Sequence, residues 1–97
     1  MYPRAISIRV LNKVVEELRT GPLWAERHSY SIRIMYNGVF VASLHLYPGL
    51  NEAVLKLYGP QEVNNYVKAR VELIASKYLQ GFKINVITVN RSHIQRL

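Results

Sequence analysis

Cysteine is absent from this 97-residue chain. Neither disulfides nor thiolate metal ligands hold its fold, so packing or self-association must do so. Aspartate is absent as well, because all six acids are glutamates: Glu16, Glu17, Glu26, Glu52, Glu62 and Glu72. Two-metal phosphoryl-transfer sites draw mainly on aspartate, and a metal nuclease is disfavoured. No uninterrupted apolar run approaches the ~20 residues of a membrane span, and MYPRAISIRVLNKVVEELR at the start lacks the h-region and cleavage site of a secretory signal. The expectation is a soluble, intracellular protein with no membrane partner. Also missing are the P-loop, GxGxxG, GxSxG and HExxH motifs, which closes the motif routes to an NTPase, a dinucleotide enzyme, a serine hydrolase and a zinc protease. No catalytic residue, metal ligand or cofactor is assigned.

Positive charge is abundant. Thirteen Lys and Arg against six acids leave a formal charge of +7, more than solubility requires of so short a chain, and a polyanionic partner is the natural inference. The cations are dispersed along the chain rather than gathered in one run. A phosphate-contacting set of Arg4, Arg9, Arg27, Arg33, Lys68 and Lys77 follows, assisted by tyrosines that can stack on bases or bond phosphates.

Hydrophobic periodicity divides the chain into elements. From Pro3 to Arg19 the apolar residues Ile6, Val10, Val14 and Leu18, widened by Leu11 and Val15, repeat every 3.6 residues, which predicts a helix over 3–19 stopped by Gly21-Pro22. Residues 20–27, TGPLWAER, read as a connector whose Trp24 is a lid over the core edge rather than a ligand platform. Residues 29–47 read as a hairpin around Asn37-Gly38, since a type I′ turn needs φ > 0 at both central positions. Uninterrupted pairing then opposes Tyr36 with Val39, Ile34 with Val41, Ile32 with Ser43, Tyr30 with His45 and His28 with Tyr47 on one face. The other face holds Ser29, Ser31, Arg33 and Met35 against Leu46, Leu44, Ala42 and Phe40. His28, Tyr30, His45 and Tyr47 form cross-strand pairs that stabilise a sheet and, without a third ligand, define no metal site.

Residues 52–58, EAVLKLY, suit either a short helix or a strand, with the edge of the hairpin favouring the strand. Pro60 opens a long helix to residue 80, with Val63, Tyr66, Val67, Val71, Ile74, Tyr78 and Leu79 as its apolar stripe and Asn64, Lys68, Glu72, Ser76 and Lys77 on its solvent side. Residues 82–90 alternate as a final strand, and 91–97 form a frayed basic tail. The whole reads as one α+β domain spanning residues 1–97, in the order α-β-β-(β or α)-α-β. A mainly antiparallel sheet of three to four strands carries two main helices on one face, the side of Ile32, Ile34, Val39 and Val41. The opposite, mixed face carries Met35, Phe40, Leu44 and Leu46 beside Arg33, as an interface would, and a homodimer through isologous contact is its simplest occupant.

With a third strand, the first five elements resemble the αβββα order of a double-stranded RNA-binding domain; with a short helix, the whole resembles the αββααβ order of a bacterial-type KH domain. Here PQEVNNY stands where the first family places a lysine cluster, and Gly59-Pro60-Gln61-Glu62 where the second requires GxxG. The composition, free of cysteine and aspartate and rich in Arg, Tyr, Ile and Val, resembles that of small orphan proteins of viruses infecting hyperthermophilic archaea. That resemblance implies a viral protein acting in the host cytoplasm, in a group whose known activities are often nucleic-acid binding. The expected function is therefore non-enzymatic binding of DNA or RNA through the phosphate backbone, with a protein-interaction or assembly subunit as the alternative.

Overall fold

The computed structural model describes residues 6–89, so Arg4, the predicted helix start at Pro3 and the basic tail lie outside the described residues. Ser7 begins the first helix, its Oγ accepting the Val10 N–H at 3.1 Å, which satisfies one of the donors a helix start leaves unpaired. The helix, α1 (Ile8–Leu18), buries Leu11, Val14, Val15 and Leu18, four members of the predicted stripe. Gly21, at φ +57°, turns the chain away.

The next segment departs from expectation. Residues read as a connector form a strand, β1 (Leu23–His28), whose Leu23 and Ala25 are buried while Trp24 and Glu26 are exposed. Ser29, at φ +58°, and Tyr30 then make a two-residue turn into β2 (Ser31–Tyr36). Hence His28 pairs with Ser31 rather than with Tyr47, and Tyr30 meets Leu46, whose N–H donates to its carbonyl at 2.9 Å, rather than His45 as the uninterrupted register required. Asn37 (φ +49°) and Gly38 (φ +83°) do form the expected turn into β3 (Val39–Tyr47).

A β-bulge then changes every position beyond it. Tyr36 faces Val39 and Met35 faces Phe40, but Ile34 faces Ala42, leaving Val41 as the extra residue. Val41 and Ala42 are both buried, and from there Leu44 and Leu46 point inward, where unbroken alternation would have placed Ser43 and His45. The physical reason is burial: two leucines gain roughly 3–6 kcal/mol inside the core, whereas a serine and a histidine there would need new partners. Val39, assigned to the core side, is 61% exposed.

A single 3₁₀ turn (Pro48–Leu50) and Asn51, held at φ +53°, lead into β4 (Glu52–Leu57), the strand alternative for this segment. The long helix is α2 (Gln61–Tyr78), and β5 (Lys83–Thr88) closes the chain's described part. The observed fold is α+β, with five strands in the order β1-β2-β3-β4-β5: the first four form an antiparallel meander and β5 adds parallel to β4 after α2. The fourth meander strand separates this order from both the αβββα and the αββααβ arrangements.

One hydrophobic cluster joins α1 and α2 to the inward side of the sheet, through Leu11, Leu18, Ile32, Ile34, Leu44, Leu55, Val67 and Ile74 among others. Glu17 links the helices, accepting from Lys77 at 3.2 Å and from the Tyr78 hydroxyl at 3.2 Å, while its backbone carbonyl accepts from Arg70. These two partners, Lys77 first, hold its carboxyl below the usual glutamate pKa. Asn64, expected on the solvent side, is buried, and its Oδ1 accepts the Gly59 N–H at 2.9 Å. Both helices thus occupy one face, leaving the other face of the sheet uncovered by any described element.

Candidate nucleic-acid interface

Alternation along the five strands aligns the outward residues in rows. Trp24 faces Met35, which faces Phe40, and the Phe40 ring lies 5.3 Å from that of Tyr58, just past β4. With strands ~4.8 Å apart, this row crosses four strands in roughly 14 Å. Two guanidinium groups border it. Arg19, at the end of α1, stands 4.0 Å over the Trp24 ring, and Arg33 stands 5.3 Å over Phe40. Trp24 remains 46% exposed, its indole N–H donating to Glu26 at 3.4 Å. It is a surface ring rather than the expected lid over the core.

The second row runs Glu26, Arg33, Ser43, Lys56 and Ile87, and the third His28, Ser31, His45, Val54 and Asn85. Tyr47, Glu52 and Lys83 follow at the far end. In the third row the His45 ring is held on both sides, Nδ1 at 3.0 Å from Ser31 Oγ and Nε2 at 2.9 Å from Ser43 Oγ. A neutral imidazole satisfies both contacts by donating through one nitrogen and accepting through the other. Burial, and after it the charge of Lys56, lower the pKa of this ring. The trio resembles a serine–histidine pair only in composition: Ser43 is 6% exposed and so is poorly placed to attack a substrate. Among the described residues no three His, Cys, Asp or Glu side chains converge as a metal site.

The expected phosphate-contacting residues do not converge. Arg9, Lys68 and Lys77 belong to the helical layer, and Lys77 is engaged by Glu17. Arg27 is half-buried on the inward side of β1, where it donates to the Ser29 carbonyl at 3.1 Å. Among the described members of the set, only Arg33 lies on the open sheet face. Of the four residues expected at an interface, Met35 and Phe40 lie on that face; Leu44 and Leu46 are in the core, moved there by the bulge. The residues that replace them outside are Ser43, His45 and Tyr47.

Several members of the face were not singled out from the sequence: Trp24 as a surface ring, Tyr58, Lys56 and the stacking role of Arg19. The signal for Trp24 and Tyr58 was present as period-2 alternation in LWAERH and EAVLKLY. The Gly-Pro before the first hid it, and in the second the apolar residues are too dense for periodicity to separate strand from helix.

The chain matches no family model, no curated protein and no solved structure. No described helix is long and apolar enough to cross a membrane.

Proposed function

We propose that this protein binds single-stranded nucleic acid, without catalysis, across the open face of its sheet. The observation that carries the reading is the Trp24–Met35–Phe40–Tyr58 row with Arg19 and Arg33 stacked on its rings. Aromatic faces accept unstacked bases of any sequence, and guanidinium groups beside them supply both cation–π contact and phosphate neutralisation. Bases inside a duplex are already stacked, so such a surface selects single strands. The net charge of +7 favours encounter with any polyanion, while the row supplies the preference.

The test is fluorescence anisotropy of labelled single-stranded DNA and RNA and of the corresponding duplexes, over a salt series. Single strands are expected to bind best, with log affinity falling against log salt at a slope of roughly −3 if about four phosphates are neutralised. Trp24→Ala should weaken binding by about 5- to 100-fold, the range for losing one stacked base. Equal binding by wild type and the Trp24→Ala, Phe40→Ala double variant removes this reading.

The same face also supports a second reading, as an assembly surface covered by a second copy of the chain. Exposed Trp24, Tyr47 and Ile87 on one side of a sheet are what such a contact would bury. Sedimentation of the anisotropy sample separates the two: a stable dimer that binds no oligonucleotide favours assembly, and a monomer that binds favours the nucleic acid.

A further inference from the structure

The two edges of the sheet are finished differently. At β1 the backbone groups that face away from β2 are engaged: the Leu23 N–H donates to the Thr20 carbonyl at 3.0 Å, and the Ala25 carbonyl accepts from Arg19 Nε at 2.8 Å. At β5 no such closure is present among the described residues. The Lys83 N–H donates to the Asn51 carbonyl at 3.0 Å and the Val89 N–H to the Leu57 carbonyl at 2.8 Å, so alternate residues address β4. Those between them, Ile84, Val86 and Thr88, turn their N–H and C=O groups to the open edge. An edge of this kind accepts another strand unless something deters it. β5 contains no proline, pairs with β4 in unbroken register, and has Lys83 at its start as its one charge. Val86 is 36% and Ile87 46% exposed. On the helix side a cleft of about 580 Å³ separates α2 from β5 and keeps the helix clear of the edge.

The strand is complementary to itself. Antiparallel pairing with a second β5, about a two-fold axis normal to the sheet, must set inward residues opposite inward residues, so only every second register is allowed. The register that joins the edge-facing groups sets Val86 opposite Val86 of the copy, with Ile84 opposite Thr88 on either side. These are the closely spaced pairs that exchange both backbone hydrogen bonds. Between them Asn85 meets Ile87, and Lys83 falls opposite Val89, so no like charges meet. We infer that the β5 edge is a self-association site, where a second copy of the chain adds its own β5 with Val86 on the two-fold axis, extending one sheet through both molecules. This contact is separate from the face-to-face assembly described above, and it does not depend on nucleic-acid binding.

The absence of cysteine makes the register testable on the whole chain. Val86→Cys introduces one thiol per molecule, and in this register the paired Cα atoms stand ~5.5 Å apart, within the roughly 4.4–6.8 Å that a disulfide spans. Ile87→Cys is displaced by two residues from its own copy, which leaves ~8 Å between the Cα atoms, beyond that span. Mild oxidation should therefore link Val86→Cys into a dimer and leave Ile87→Cys a monomer. Equal linking of the two, linking of Ile87→Cys alone, or none at all overturns the inference. Sedimentation of the wild type over a concentration series should reach twice the chain mass of 11.2 kDa. Val86→Pro removes a donor that addresses only the open edge, where a strand tolerates proline, and should hold the protein at the single mass with an unchanged circular dichroism spectrum. Val86→Lys, which sets two cations face to face on the axis, should do the same if the proline variant fails to fold. A wild type that stays monomeric throughout the series, or a dimer that survives both substitutions, overturns the inference.

Discussion

Asn64 controls the passage from β4 into α2. It is 6% exposed and accepts the Gly59 N–H at 2.9 Å, and a side chain added at Gly59 would meet its Oδ1 at 3.3 Å. Truncating the amide strands a backbone donor in a part-buried site, so Asn64→Ala should lower unfolding free energy by about 1–3 kcal/mol in denaturant titrations. An unchanged midpoint would show that water replaces the contact. The sequence placed Asn64 on the solvent side because helical periodicity sorts residues by polarity alone. What reverses that sorting is a specific partner, and Gly59 belongs to the loop before the helix rather than to the stripe.

His45 makes the residue-scale case for pH. Its pKa is lowered by burial first and by Lys56 second, so the folded protein binds its proton more weakly than the unfolded chain does. The stability it contributes is therefore complete above the unfolded value, near ~6.5, and is lost as pH falls from there through the folded pKa. Unfolding free energy should decline as pH falls below the unfolded histidine value, and His45→Gln, which keeps one donor and one acceptor, should flatten that decline. Glu17 also titrates below its usual value, but its contribution is lost only in the acid range below the unfolded glutamate value, so the two are separable by pH.

Among the elements, the helices were legible in outline and β3 in location but not in facing. The α1 and α2 stripes repeat over several turns, so a single deviant residue does not erase them. A strand is different: one extra residue reverses all that follow, and nothing local to Val41-Ala42 marks the bulge. What selects it is global: Leu44 and Leu46 together make a better core than Ser43 and His45. Leu44→Ala should therefore cost about 2–5 kcal/mol of stability, while Tyr47→Ala, on the exposed face, should cost under about 0.5 kcal/mol. Comparable costs for the two, measured by chemical denaturation, would contradict the bulged register. β1 was hidden by the Gly-Pro before it and by its short, charged sequence. Its free edge is closed by Arg19, whose Nε donates to the Ala25 carbonyl at 2.8 Å, a means of blocking strand addition at that edge.

At the scale of the molecule, hydrophobic periodicity indicated an α+β chain, and charge suggested a class of partner. Neither located a site. The open face combines side chains from all five strands, so it depends on a topology that the sequence misreads at residues 20–27, where it suggests a connector, and leaves open between strand and helix at 52–58. Of the cations expected to meet phosphate, the five within the described residues are distributed by that topology over two layers, and among them Arg33 alone stands beside the aromatic row.

The parallel attachment of β5 has a consequence for folding order. The four meander strands are joined by short turns and close with little loss of chain entropy, whereas β5 can pair with β4 only after α2 has spanned the sheet. None of its residues is fully buried, so β5 is both the last strand to join and the first to detach. Amide hydrogen exchange should be fastest there and slowest in β2 and β3, and uniform protection across the sheet would show instead that the molecule opens only as a whole.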